Sequence, residues 1–192
     1  MSPTDLSPDS IADRLAQLSL RRLKADDDVR KAAVLVPFCV VDDDISVLFT
    51  KRSDKVGTHK GQVSFPGGMQ DDDDDDDIDT ALRELEEEIL IPRQEVQVLG
   101  PHHHARAITG VHVRPIVGHL GVVQPDRVDY NPDEIDSVFT IAVRDLLHPD
   151  KRYMQTFDRG TLPVFDAGPF PVWGLTAYML DALLRDLGLL QT

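Results

Sequence analysis

The sequence predicts an α/β (α+β) fold, and three observations predict it. Two apolar, β-branched runs, Lys31 to Val41 and Ile45 to Lys51, flank the acidic turn Asp42-Asp43-Asp44 and read as a hairpin. The stretch from Asp79 to Leu90 is rich in strong helix formers, with Leu82, Leu85 and Ile89 at helical spacing. A closing amphipathic helix is expected from Gly174 to Leu187, with Leu175, Met179, Ala182 and Leu183 inward. At 192 residues and 41% hydrophobic content, the chain is long enough to bury a core of its own.

The remaining elements follow in order. Residues 1–9 read as loose, and Ser10 as the cap of a helix from Ile11 to Lys24 with Ile11, Leu15, Leu18 and Leu23 as its stripe. Residues 1–30 are thus an N-terminal extension carrying an amphipathic helix, and residues 31–192 are the main domain. Lys51-Arg52 opens a polar loop that holds Gly57, His59, Lys60, Gly61 and Gln62 and ends at Gly67-Gly68. The run Asp71 to Asp77 lacks the alternating ligands of a calcium loop and reads as a mobile, solvated segment. Strands are expected at Val96 to Leu99 and Val111 to Val123, with His102-His103-His104 on a partly exposed edge between them. Consecutive residues of an extended segment face opposite ways, so at most His102 and His104 would share a ligand. After the turn Asn131-Pro132-Asp133-Glu134 come a strand to Val143 and a short helix to Leu147. A hairpin follows, Tyr153 to Phe157 with Leu162 to Phe165, around Asp158-Arg159-Gly160.

Charge narrows the function. The net charge of −14 argues against a nucleic-acid partner, whereas a phosphate substrate fits if bound metal reverses the local sign. The single Cys39 lies in an apolar run, so a buried core thiol and a reducing compartment are expected. No apolar run is long enough to span a membrane. A cytoplasmic protein is the first expectation. A mitochondrial presequence is the alternative, favoured by Arg21, Arg22 and Lys24 and opposed by Asp5, Asp9 and Asp13.

The chemistry concentrates in Arg83-Glu84-Leu85-Glu86-Glu87-Glu88-Ile89. On a helix, Glu84, Glu87 and Glu88 stand at i, i+3 and i+4, neighbours on one face. Carboxylates that close repel one another unless a positive charge sits among them, and a hard divalent cation, Mg²⁺ or Mn²⁺, supplies it. The plain alternative is a solvated acidic face, so the surrounding motifs decide.

Gly67-Gly68, a spacer and then Arg83-Glu84-Leu85-Glu86-Glu87-Glu88 resemble the box of the Nudix hydrolases, whose helical part reads R-E-U-x-E-E-x-G-U with U aliphatic. Leu85 and Ile91 fill the aliphatic positions. The departures are Met69 at the glycine position, Asp75 at the isolated glutamate, and Leu90 at the last glycine. The upstream residues Leu48-Phe49-Thr50-Lys51-Arg52-Ser53 and His59-Lys60-Gly61-Gln62-Val63-Ser64-Phe65-Pro66-Gly67-Gly68 resemble the signature of the coenzyme A pyrophosphatase subfamily. Val56-Gly57 replaces that signature's leucine-arginine pair, which removes one substrate-binding cation. Asn131-Pro132-Asp133-Glu134-Ile135 and Trp173-Gly174-Leu175-Thr176-Ala177 are similar to further subfamily features.

The resemblance implies an α/β/α sandwich with a mixed, curved sheet between helices. It implies that Glu84, Glu87 and Glu88 bind Mg²⁺ or Mn²⁺, with Glu87 a ligand or the base and Glu134 a second base or outer ligand. Arg83 would brace the loop through Asp75 or Asp74, and Arg52, His59, Gln62, Gly67 and Gly68 would contact substrate. The implied substrate is a small diphosphate, coenzyme A first, cleaved by a monomer or homodimer to 4′-phosphopantetheine and 3′,5′-ADP. The rivals are ADP-ribose, NADH or diadenosine polyphosphate hydrolysis, and a non-catalytic nucleotide-binding protein with a decayed box.

Overall fold

Alternation along the first two strands assigns each face of the sheet to its own layer. The computed structural model describes residues 5–21, 23, 29–55, 60–158 and 160–191. Strand β1 (Lys31–Val41) pairs antiparallel with β2 (Asp44–Arg52). Asp42 and Asp43 between them take φ values of 48° and 67°, the left-handed pair that suits a two-residue turn. Along β1, Ala32, Val36 and Phe38 point to one apolar cluster, and Ala33, Leu35 and Cys39 to the other. Cys39 is fully buried, as expected, and burial pushes its thiol up to about 12.

The sheet is mixed. β3 (Val63–Ser64) pairs with β2, and β4 (Gly67–Met69) pairs with β1. β5 (Gln97–Pro101) and β6 (Ala105–Arg106) both pair with β7 (His112–Val122), which runs parallel to β1. β8 (Ile135–Ala142) covers the other side of β2 and leads into the short α3 (Val143–Leu146). The hairpin of β9 (Arg152–Phe157) and β10 (Gly160–Phe165) forms a separate two-stranded sheet. Helix α2 (Asp77–Ile89) lies on one face of the main sheet, with Ala81, Leu85 and Ile89 packed on Ala33, Leu35, Cys39, Leu48 and Ile116. Helices α1 (Pro8–Ala16) and α4 (Gly174–Asp186) cover the other face, giving the expected sandwich.

Several local expectations are corrected. α1 starts at Pro8 with Ser7 as its cap, because proline suits the first helical turn and the Ser7 side chain accepts from Ser10 N–H at 3.4 Å. Ser10 is buried instead, and the helix ends at Ala16, well before Lys24, which lies outside the described residues with Arg22. α4 is turned relative to the expected stripe, burying Ala177, Leu180 and Leu184 along with Met179 and Leu183, while Leu175 and Ala182 stay half-buried. Asp71 to Asp77 is not a uniform solvated loop: Asp76 caps α2, Asp74 is buried against Arg83, and Asp77 pairs with Arg114 at 3.4 Å. His102 is no exposed edge residue either. It is 1% exposed, because its ring turns inward to Asp186 at 2.8 Å. The consecutive His103 reaches the same oxygen at 3.3 Å, against the expected pairing of His102 with His104, because residues 102–104 lie outside any strand.

Candidate active site

Helix α2 presents its carboxylates because both ends of it are fixed. The Asp76 side chain accepts from Ile78 N–H at 2.8 Å and Asp79 N–H at 2.9 Å, so the first turn is capped. At the other end Leu90 takes a left-handed conformation, φ 53° and ψ 22°, where the family box has glycine. With Leu85 and Ile89 pressed on the sheet, Glu84 and Glu88 fall on the flank that meets β4.

That flank needs glycines. β4 lies on β1 with Gly68 opposite Ala33 and Gly67 opposite Val34. Gly67 has φ 154°, and a side chain there would come within 2.4 Å of the Ala33 carbonyl. A Cβ on Gly68 would come within 2.4 Å of Glu84 Oε1, so the carboxylate rests directly on the bare backbone. Glu88 Oε2 accepts from Gly67 N–H at 3.3 Å.

The electrostatics are those of crowded, half-compensated anions. Glu88 is 1% exposed, and burial pushes its carboxyl up to about 8, opposed by the Arg52 guanidinium at 3.1 Å. Burial also raises Glu84, whose partner Arg83 lies at 2.9 Å. Glu134 repels both groups from the turn that precedes β8. That turn is docked: Asn131 N–H donates to the Glu88 carbonyl at 2.9 Å, and Ser53 N–H to the Glu134 carbonyl at 2.8 Å. Asn131 Nδ2 donates to Glu134 Oε1 at 3.2 Å.

Of the expected residues, the structure gathers Arg52, Gly67, Gly68, Arg83, Glu84, Glu88 and Glu134 into one neighbourhood. Glu87 sits on its solvent side, 53% exposed and 3.2 Å from Arg83 Nη1. Arg83 reaches the glutamates themselves, because its long side chain folds back over Glu84 and Glu87. Of the two proposed brace residues the structure selects Asp74. Gln62 is tied to the site strand, its carbonyl accepting from Arg52 N–H at 3.0 Å. His59, Val56 and Gly57 lie outside the described residues. Oxygen donors at Glu84, Glu88 and Glu134, near enough to repel one another, fit a hard divalent cation that keeps part of its water shell.

Comparison with known proteins bears on this site. A family model described as the NUDIX domain matches residues 29–163. The chain is similar to a human protein named mitochondrial coenzyme A diphosphatase NUDT8, 38% identical over 184 residues, covering 88% of this chain and 77% of that one. The mouse protein of the same name is 41% identical over 163 residues, covering 80% and 76%. A Yersinia enterocolitica protein named uncharacterized Nudix hydrolase NudL is 36% identical, covering 82% of each chain. Among solved structures, a NUDIX hydrolase from Alicyclobacillus acidocaldarius matches with a TM-score of 0.50 and 20% identity, covering 82% of this chain and 92% of that one. A C. elegans Ap4A hydrolase matches with a TM-score of 0.50 and 21% identity, covering 61% and 82%. At those identities the structures share the fold and nothing finer.

Proposed function

The chain belongs to the Nudix hydrolase family, and on that premise we propose that it cleaves the diphosphate of coenzyme A and its derivatives to 4′-phosphopantetheine and 3′,5′-ADP. The observation that carries the reading is the placement of Glu84 on Gly68 and of Glu88 on Gly67, a carboxylate pair opened toward a backbone cradle. The substrate is supported by the names of the mammalian relatives and by the signature residues around Arg52 and Gln62.

Glu84 and Glu88 would be the principal ligands of a divalent cation, Mg²⁺ or Mn²⁺ in this reading, with Glu87 adding a third carboxylate from the solvent side. When bound, such an ion would supply neutralisation of diphosphate charge and a lower pKa for the attacking water. Arg52 holds the Glu88 carboxylate in place through its 3.1 Å contact. Arg83 holds Glu84 and, through Asp74, the loop that frames it. Glu134, oriented by Asn131, takes the proton as water attacks one phosphorus in line and the other phosphate departs. Gln62, Gly67 and Gly68 line the substrate side.

The test is a substrate panel of coenzyme A, ADP-ribose, NADH and diadenosine polyphosphates, each with Mg²⁺, with Mn²⁺ and with EDTA. Metal-dependent release of 3′,5′-ADP from coenzyme A, faster than cleavage of the others, is the expected result. Faster cleavage of another substrate would discard coenzyme A and keep the chemistry. Binding without cleavage of any would favour the decayed box. Glu88→Gln is expected to lower turnover at least about a hundredfold with the fold intact. No described helix is long and apolar enough to cross a membrane. Both mammalian relatives are named as mitochondrial, so fractionation of cells expressing the full chain tests the cytoplasmic expectation.

A further inference from the structure

We propose that His102, His103 and Asp186 form a second metal site, selective for a transition ion of the Zn²⁺ class and separate from the α2 glutamates. Among the described residues, these three form the one group of His, Cys, Asp or Glu whose ligand atoms all lie within 4.8 Å of one another. His102 Nε2 is 2.8 Å and His103 Nε2 is 3.3 Å from the same oxygen, Asp186 Oδ2. In a tetrahedral Zn²⁺ site with bonds of roughly 2.0–2.1 Å, neighbouring ligand atoms stand about 3.3 Å apart. Small side-chain shifts therefore turn this cluster into three corners of a tetrahedron.

The backbone around the cluster is fixed before any ion arrives. His102 N–H donates to the Pro115 carbonyl at 2.9 Å, and the His102 carbonyl accepts from Arg114 Nη1 at 2.8 Å. Arg114 is itself buried and paired with Asp77. Asp186 is the last residue of α4, held down by the buried neighbours Leu183, Leu184 and Leu187. Asp186 is exposed whereas His102 is buried, so an ion enters from solvent toward a sheltered ligand. Ligation takes neutral imidazole, and the burial of His102 disfavours its charged form.

Ligand chemistry separates this site from that on α2. Two imidazoles and one carboxylate suit Zn²⁺ and its neighbours, whereas the glutamates offer oxygen alone and suit Mg²⁺ or Mn²⁺. The two sites also lie on opposite faces of the sheet, since α2 and α4 cover different faces. Occupancy has a local consequence. His103 Nδ1 accepts from Arg21 N–H at 2.9 Å, which leaves the His103 proton on Nε2, facing Asp186. An ion on Nε2 moves that proton to Nδ1, so Arg21 N–H loses its acceptor.

The experiment uses tag-free full-length protein, stripped with chelator and titrated with Co²⁺ in excess Mg²⁺. Wild type is expected to bind one equivalent with visible d–d absorption and faster amide exchange at Arg21. His103→Gln and Asp186→Asn should weaken that binding at least about tenfold, while Glu88→Gln retains it. Circular dichroism of each variant separates ligand loss from misfolding, and His103 is the surface-side choice where His102 variants fail to fold. Absent absorption in wild type, absorption kept in His103→Gln, or absorption lost in Glu88→Gln would each overturn the proposal.

Discussion

Arg83 grips Asp74 through two parallel hydrogen bonds, Nε to Oδ1 at 2.8 Å and Nη2 to Oδ2 at 2.9 Å. The same guanidinium reaches the Met69 carbonyl at 3.0 Å and Glu84 at 2.9 Å, so one side chain ties loop, β4 and candidate ligand together. The Asp74 side chain is 3% exposed, and removing its charge leaves Arg83 half-buried with poor compensation. Asp74→Asn is expected to destabilise by about 2–4 kcal/mol and to lower turnover, because Arg83 then competes more strongly for Glu84. Asp75→Asn, at an exposed position, should stay within about 0.5 kcal/mol of wild type. Thermal melts and initial rates of the two variants check this, and equal effects would show that the brace has no preference. The Arg83 hydrogen bonds hold Asp74 well below the usual carboxylate range. Its contribution is thus present above the ordinary value of 3.8 and is lost only in stronger acid.

Gly67 and Gly68 are expected to fail differently. Gly68→Ala meets the movable end of Glu84, so the fold should survive while metal affinity and turnover both drop. Gly67→Ala meets the Ala33 carbonyl at 2.4 Å and Val34 Cα at 2.6 Å, so β4 itself must move. Melting curves with and without Mg²⁺ distinguish the two. A Gly68→Ala protein with normal Mg²⁺ dependence would remove Glu84 from the ligand set.

Leu90 pays a conformational penalty where glycine would not. Its left-handed backbone disfavours a side chain, and 53% of that side chain's residue surface is exposed, so little packing is at stake. Leu90→Gly should stabilise by about 0.5–1 kcal/mol, raising Tm by about 1–4 °C for a chain of this size. A lower Tm would mean that the Leu90 side chain contributes more packing than its exposure suggests.

Glu88 makes the metal-free protein pH-sensitive. Its folded-state pKa, about 8, lies above the ordinary 4.5, so the folded state holds a proton that the unfolded chain releases. This contribution is fully present below about pH 4.5 and is lost as pH rises through about 8. The Tm of metal-free wild type should therefore fall relative to Glu88→Gln between pH 5 and 8, and saturating Mg²⁺ should reverse the trend. The comparison cancels the opposite tendency of His102, which burial holds below the usual histidine range. A flat difference would mean that Arg52 keeps Glu88 ionised throughout.

The hairpin, α2 and its glutamates were legible because periodicity and β-branching are local signals. The start of β1 and the pairing across Asp42-Asp43 follow directly from them. What escaped depended on distance or on identity. His102 and Asp186 are 84 residues apart, and no local pattern links them. Arg114 sat inside an apolar strand with no sign that Asp77 would meet it. Within the aspartate run seven identical residues gave no cue that Asp74 would brace and Asp76 would cap. α4 buries more of its circumference than a single stripe, so the spacing of its leucines left its rotation open.

The uniformity of that run makes the chemistry tolerant of length. Asp74, Asp76 and Asp77 keep their partners by position relative to α2, and each is preceded by further aspartates. Deleting one residue of the run would leave an aspartate at every one of those positions. The change would fall instead on the turn before the brace, where Asp74 N–H donates to the Asp71 carbonyl at 3.1 Å and Asp71 N–H to Asp74 Oδ2 at 2.9 Å. A mixed sequence of the same length would lose cap, brace and ion pair together from a single slip. Here the same slip disturbs only that turn.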